Sequence, residues 1–184
     1  MTIDEVLNRL KKGNQRFCRD QMSREKQDSH RRLETIDGQN PFAIILTCAD
    51  SRVIPELIFD TGIGELFVVR VAGNIANKST IASIEYAVAN LNAAIIMVLA
   101  HENCGAVSAT IQDGDYGENL EHLVDHIRPA IHEAPINEVA KKNAMITVEQ
   151  LLKNSIIISG SVNKKQLQVL PAYYHLGSGE VEYL

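Results

Sequence analysis

Nowhere in the chain do about 18 apolar residues follow one another, so no stretch has the length of a membrane-spanning helix. The opening MTIDEVLNRLKKGNQRF likewise lacks the uninterrupted apolar core of a secretory signal. A cytoplasmic location is the expectation. There is no basic surplus either: 18 Lys and Arg stand against 23 Asp and Glu, leaving a net charge of −5 and a pI near 5.7. Composition therefore offers no electrostatic reason for binding nucleic acid or an anionic membrane, and neither is expected as a partner. Cysteine is scarce, at three in 184 residues. A disulfide framework prefers paired cysteines in a smaller secreted domain, which leaves metal ligation or a reactive thiol. No internal repeat, low-complexity tract or linker interrupts the chain. With 45% hydrophobic residues, residues 1–184 read as a single domain with a sizeable core.

Apolar positions Ile3, Val6, Leu7, Leu10 and Phe17 fall mainly on one helical face, and Thr2 with Glu5 has capping-box spacing, which predicts a helix over 2–17. Residues 18–38 are polar and charged and read as a solvated helical connection or a loop. Three compact apolar runs follow: PFAIILTC from Pro41, LFVVRVAG at 66–73 and AAIIMVLAH at 93–101. Their length and β-branched content predict strands buried on both faces. Ile81, Ile84, Ala87, Val88 and Leu91 repeat at helical spacing between the second and third runs, so a right-handed parallel crossover is expected. Helical patterns recur at about 117–133 and 137–153. The remaining segments, IIISGSV and QLQVLPAYYHLGSGEVEYL, read as strands with a Gly-Ser-Gly turn. The expected fold class is α/β, with a mostly parallel central β-sheet flanked by helices.

Chemistry concentrates at the ends of those strands. Cys48 closes the first run, His101 closes the third, and Cys104 stands three residues later. Ligand sites in open parallel sheets gather at the carboxyl ends of strands, so the three side chains converge on one edge. Taken singly, each has a bland reading, a strand-end cysteine being more often a small buried hydrophobe. Together they make a Cys2His set suited to zinc at about 2.0–2.3 Å, with a fourth position open as in catalytic sites. Asp50 and Arg52 follow within four residues of Cys48. A carboxylate there could coordinate the ion and close the site, or accept a hydrogen bond from the nucleophile and aim it. Arg52, able to pair with a carboxylate in a two-pronged fork, would hold Asp50 off the metal. A purely structural ion pair at a strand end is the alternative.

The blocks CADSRVIPELIFD (48–60), ELFVVRVAGN (65–74), ASIEYAV (82–88) and HENCGAV (101–107) resemble, in order and spacing, those of the β-class carbonic anhydrases. LKKGNQRF near the start and YYHLGSGEVEYL at the end are similar too. The resemblance implies that Cys48, His101 and Cys104 bind Zn2+, one per chain, and that Asp50 and Arg52 form the dyad controlling the fourth site, with Asp50 a fourth ligand in a closed state. It implies reversible hydration of carbon dioxide to bicarbonate and a proton, with hydroxide at the zinc as nucleophile. Gln39 matches an amide that hydrogen-bonds substrate. Phe67, Tyr86 and Gly105 match residues lining the carbon dioxide pocket, Tyr86 coming from the partner subunit. Each has a structural alternative: Gln39 as a turn residue, Phe67 and Tyr86 as core, Gly105 as a backbone necessity. The resemblance further implies a homodimer or homotetramer with the N-terminal helix packing across the partner, although its apolar face would equally pack on its own subunit.

Three departures from the family pattern stand out: Ala100 and Pro171 stand at or near positions where glycine is usual, and there is no Trp. Members with an inhibitory bicarbonate site use a Trp there, so that regulation is not expected. Carbonyl sulfide or carbon disulfide hydrolysis on the same scaffold is the enzymatic alternative, and a non-catalytic zinc or bicarbonate-binding protein is the other. His30, His122, His126, His132 and His175 are all candidate proton relays. Cys18 reads as a partly buried free thiol without a role.

Overall fold

The computed structural model describes residues 1–184. Its strands are β1 (Ala43–Thr47), β2 (Leu66–Arg70), β3 (Ile95–His101), β4 (Gln168–Tyr174) and β5 (Val181–Tyr183). They form one sheet in the order β2-β1-β3-β4-β5, parallel through β4 and antiparallel at β4–β5. The helices are α1 (Ile3–Cys18), α2 (Ser29–Glu34), α3 (Pro55–Ile58), α4 (Lys78–Asn90), α5 (Gly105–Gln112), α6 (Gly117–Ile127), α7 (Ile136–Asn154) and α8 (Ile156–Asn163). The expected single α/β domain with a mostly parallel sheet is what forms. No helix is long and apolar enough to cross a membrane.

Central position explains why β1 and β3 read as unbroken apolar runs: every residue of both is buried. Successive side chains alternate between faces. Ile44, Leu46, Ile96, Val98 and Ala100 join a cluster that includes Ala87 of α4, Ala140 and Ala144 of α7 and Ile158 of α8. Ala43, Ile45, Ile95, Met97 and Leu99 join the opposite cluster, with Val6 and Leu10 of α1 and Ile58 of α3. α1 starts at the anticipated capping box, with the Glu5 N–H donating to Thr2 Oγ1 at 3.2 Å and the Thr2 N–H to Glu5 Oε2 at 2.7 Å. Its apolar face lies on its own subunit, where Val6 and Leu10 are wholly buried. Asn14 adds a polar clamp, donating to the carbonyls of Ile58 and Gly179 and accepting from the Val181 N–H.

Four sequence expectations need correction. The run at 66–73 is not buried on both faces: β2 is the edge strand, its residues are half-buried or exposed, and the chain turns away after Arg70. IIISGSV is helical, not a strand. Ser155 is extended and caps α8, accepting from the Ile158 N–H at 3.1 Å. Only Ile158 is buried, while Ile156 is 90% exposed, so tertiary packing overrides the β-propensity of three isoleucines. Cys18 is exposed at the end of α1. The helix expected over 117–133 stops at Ile127 and continues as one tighter turn, Arg128–Ala130, around Pro129. The Gly-Ser-Gly turn forms as expected, with Gly179 at φ +77 and its N–H bonded to the His175 carbonyl at 2.9 Å.

Candidate metal centre

Parallel register fixes where the site lies. Thr47 pairs with Arg70 on one side and Leu99 on the other, so Cys48 leaves β1 at the carboxyl edge, where β3 ends in His101. Asn103, at φ +51, makes the short turn that follows; asparagine enters this left-handed region more readily than most residues. Cys104 then caps α5. The ligand atoms of Cys48, His101 and Cys104 all lie within 4.8 Å of one another, and the three residues are 5%, 0% and 1% exposed.

The donor set suits a soft divalent cation. His101 Nδ1 donates to the Glu102 carbonyl at 2.9 Å, which leaves the lone pair on Nε2, and buried Nε2 has no hydrogen-bond partner. A histidine tied back in this way is oriented as metal-ligating histidines are. The two sulfurs hold one thiolate between them: Cys48 is lowered, chiefly by the Cys104 thiol donating to it, while Cys104 is raised because Cys48 accepts that bond and because it is buried. A divalent cation between them would favour both thiolates. The Gly73 N–H also donates to Cys48 Sγ, at 3.3 Å.

Asp50 and Arg52 form an ion pair. Arg52 Nε donates to Oδ1 at 2.9 Å and Nη2 to Oδ2 at 2.7 Å, and the Arg52 backbone N–H also reaches Oδ1 at 2.9 Å. The guanidinium's hydrogen bonds hold Asp50 well below the usual carboxylate range. Oδ2 stands 3.9 Å from His101 Nε2, beside the ligand triangle and gripped by the fork.

The remaining predicted residues are spread out. Gly105 opens α5, with free space where a Cβ would stand. Phe67 on β2 and Tyr86 on α4 pack ring to ring, 6.5 Å between centroids, with Tyr86 53% exposed. Gln39 is exposed and precedes β1 at the amino edge of the sheet. The length of β1, roughly 16 Å at about 3.3 Å per residue, separates it from the ligands of its own chain.

Residues without an assigned role complete the frame. Arg70 donates to the carbonyls of Asp50, at 2.7 Å, and Cys48, at 3.3 Å, and so pins the loop carrying both. Asn137 accepts from the Asn103 N–H at 3.0 Å, and Asn143 donates to the Gly73 carbonyl at 2.8 Å. An arginine ending an otherwise apolar run was the available signal for Arg70; nothing local marks the two asparagines.

The family model described as "Carbonic anhydrase" matches residues 43–181. A carbonic anhydrase of Mycolicibacterium smegmatis is 36% identical over 183 residues, covering 94% of this chain and 89% of that protein. Carbonic anhydrase 2 of Mycobacterium tuberculosis is 36% identical over 180 residues, covering 92% and 87%. Among solved structures, a tetrameric β-carbonic anhydrase of Sordaria macrospora superposes with a TM-score of 0.77 at 25% identity, covering 85% of this chain and 87% of that one. The Coccomyxa β-carbonic anhydrase bound to acetazolamide gives 0.77 at 25% identity, covering 97% and 86%.

Proposed function

Since this chain belongs to the carbonic anhydrase family, in its β class, we propose that it hydrates carbon dioxide reversibly at one zinc ion per chain held by Cys48, His101 and Cys104. The observation carrying this reading is the buried Cys2His triangle with the unpartnered His101 Nε2, set beside an acid already engaged by a base. When bound there, zinc would supply the Lewis acidity that lowers the pKa of a water towards neutrality.

Every other task falls to side chains. Arg52 holds both oxygens of Asp50 and keeps the carboxylate from closing the triangle, which favours an open fourth position. Asp50, anionic throughout the neutral range, accepts a hydrogen bond from the nucleophile and aims its lone pair at carbon. Arg70 fixes the loop through two carbonyls, so this geometry costs little reorganisation when substrate arrives. Gly105, next to Cys104, leaves uncrowded surface for a small substrate without charge, whereas Phe67, opposite Ile44 and packed on Tyr86, offers its apolar ring away from the ligands of its own chain. Gln39 lies at the far end of β1 and Tyr86 faces outward, so both serve the site of a second copy. A homodimer or homotetramer is the assembly this requires, and a cytoplasmic location is part of the same proposal. Stopped-flow assays on carbon dioxide and carbonyl sulfide test the reading: rapid hydration of the first is expected, and sulfide release with negligible hydration would overturn it.

A further inference from the structure

We propose that Asn143, midway along α7, is a positioning residue for the metal centre, holding the turn at 72–74 so that the Gly73 N–H donates to the Cys48 sulfur. This rests on the zinc reading above. Asn143 is 1% exposed and shares its helix with buried Val139, Ala140, Ala144 and Leu151. An amide set among such neighbours is costly unless it is bonded, and here only its donor is, Oδ1 having no partner. Its donor goes to the Gly73 carbonyl at 2.8 Å, and the same residue's N–H lies 3.3 Å from Cys48 Sγ.

The turn needs an external anchor. Gly73 and Asn74 are both left-handed, at φ +69 and +46, outside any ladder of the sheet. A Cβ on Gly73 would come within 2.5 Å of Ile127 Cδ1 and 3.3 Å of Ala106 Cβ, so the turn is wedged between α5 and α6. Asn143 pulls on it from the third side. What this supplies chemically follows from charge. Two thiolates cancel the formal charge of a zinc ion and weaken it as a Lewis acid, whereas an N–H donated to sulfur draws electron density off the ligand and restores part of that acidity. Asn143 touches neither metal nor substrate; it acts through Gly73.

The test uses the full-length protein loaded with cobalt(II), whose sulfur-to-metal charge-transfer band reports electron density on the thiolates. Asn143→Ala removes the donor, and Asn143→Leu does so while keeping the same branched side-chain outline in case the alanine variant does not fold. Asn14→Ala, which cuts buried hydrogen bonds on the opposite face of the sheet, controls for general destabilisation. Both Asn143 variants should move the band to longer wavelength and weaken zinc binding about tenfold or more in chelator competition, while Asn14→Ala leaves the band in place. An unmoved band in the folded Asn143 variants overturns the proposal, even if zinc affinity falls. If the wild-type protein takes up neither cobalt nor zinc, the metal reading fails with it, and that outcome is distinct from an unmoved band in loaded variants.

Discussion

Replacing Asn14 by alanine tests whether α1 belongs to its own subunit. The side chain is 6% exposed and makes three buried hydrogen bonds: Nδ2 to the Ile58 carbonyl at 3.2 Å and the Gly179 carbonyl at 2.8 Å, and Oδ1 from the Val181 N–H at 2.9 Å. Ile58, Gly179 and Val181 are themselves buried, so water cannot replace the lost partners without opening the packing. Each such bond contributes about 1 kcal/mol net, so the total cost is about 3 kcal/mol. For a chain of this size that is a fall in Tm of roughly 6–12 °C. Urea unfolding of the zinc-loaded protein at two concentrations tenfold apart reads it. Because all three partners lie in the same chain, the loss should be the same at both concentrations. A loss below about 0.5 kcal/mol, or one that appears only on dilution as a shift in assembly, would refute the intrachain clamp.

Further outcomes follow from the site and its surroundings. Arg52→Ala and Asp50→Ala should each retain zinc yet lose roughly 100-fold in hydration rate, the scale expected when a reacting group is misplaced by about 1 Å; wild-type turnover in stopped flow would remove the pair from the mechanism. Stripping the metal with a chelator should lower Tm and zinc should restore it, since a ligand that binds only the folded state stabilises it; identical melting with and without metal would count against the triangle. Acid should destabilise the protein through Glu65 and Asp60. Burial alone would raise Glu65, but the Lys26 ammonium, the Gly62 N–H and Arg9 outweigh it and lower its pKa. Burial of Asp60 is likewise outweighed by the Ser23 N–H and Arg16. A carboxyl lowered on folding contributes fully above its unfolded pKa, about 4, and loses that contribution as pH falls through the folded value. Urea midpoints should therefore drop between pH 5 and 3, less steeply in Glu65→Gln; an equal slope in both proteins would exclude Glu65.

How far the sequence foretold this molecule depended on whether the deciding contact was local. α1 was legible because Thr2 and Glu5 cap it within one turn. β1 and β3 were legible because strands covered on both faces must be apolar throughout. β2 was misjudged because its place at the sheet edge depends on strand order, which no run of residues encodes. Ile156, Ile157 and Ile158 suggested a strand; Ser155 capping and the burial of Ile158 alone made a helix. At the site, Cys48, His101 and Cys104 could be read from strand ends and an i, i+3 spacing, and Asp50–Arg52 from adjacency. Gly73 and Asn143 could not: their bonds span 25 and 70 positions and exist only once the turn after β2 has packed against α7.

Metal content of the purified, reduced chain tests the central claim most directly. About one zinc per chain is expected, lost together with hydration activity in His101→Ala. A protein that is folded, reduced and active without zinc would contradict it.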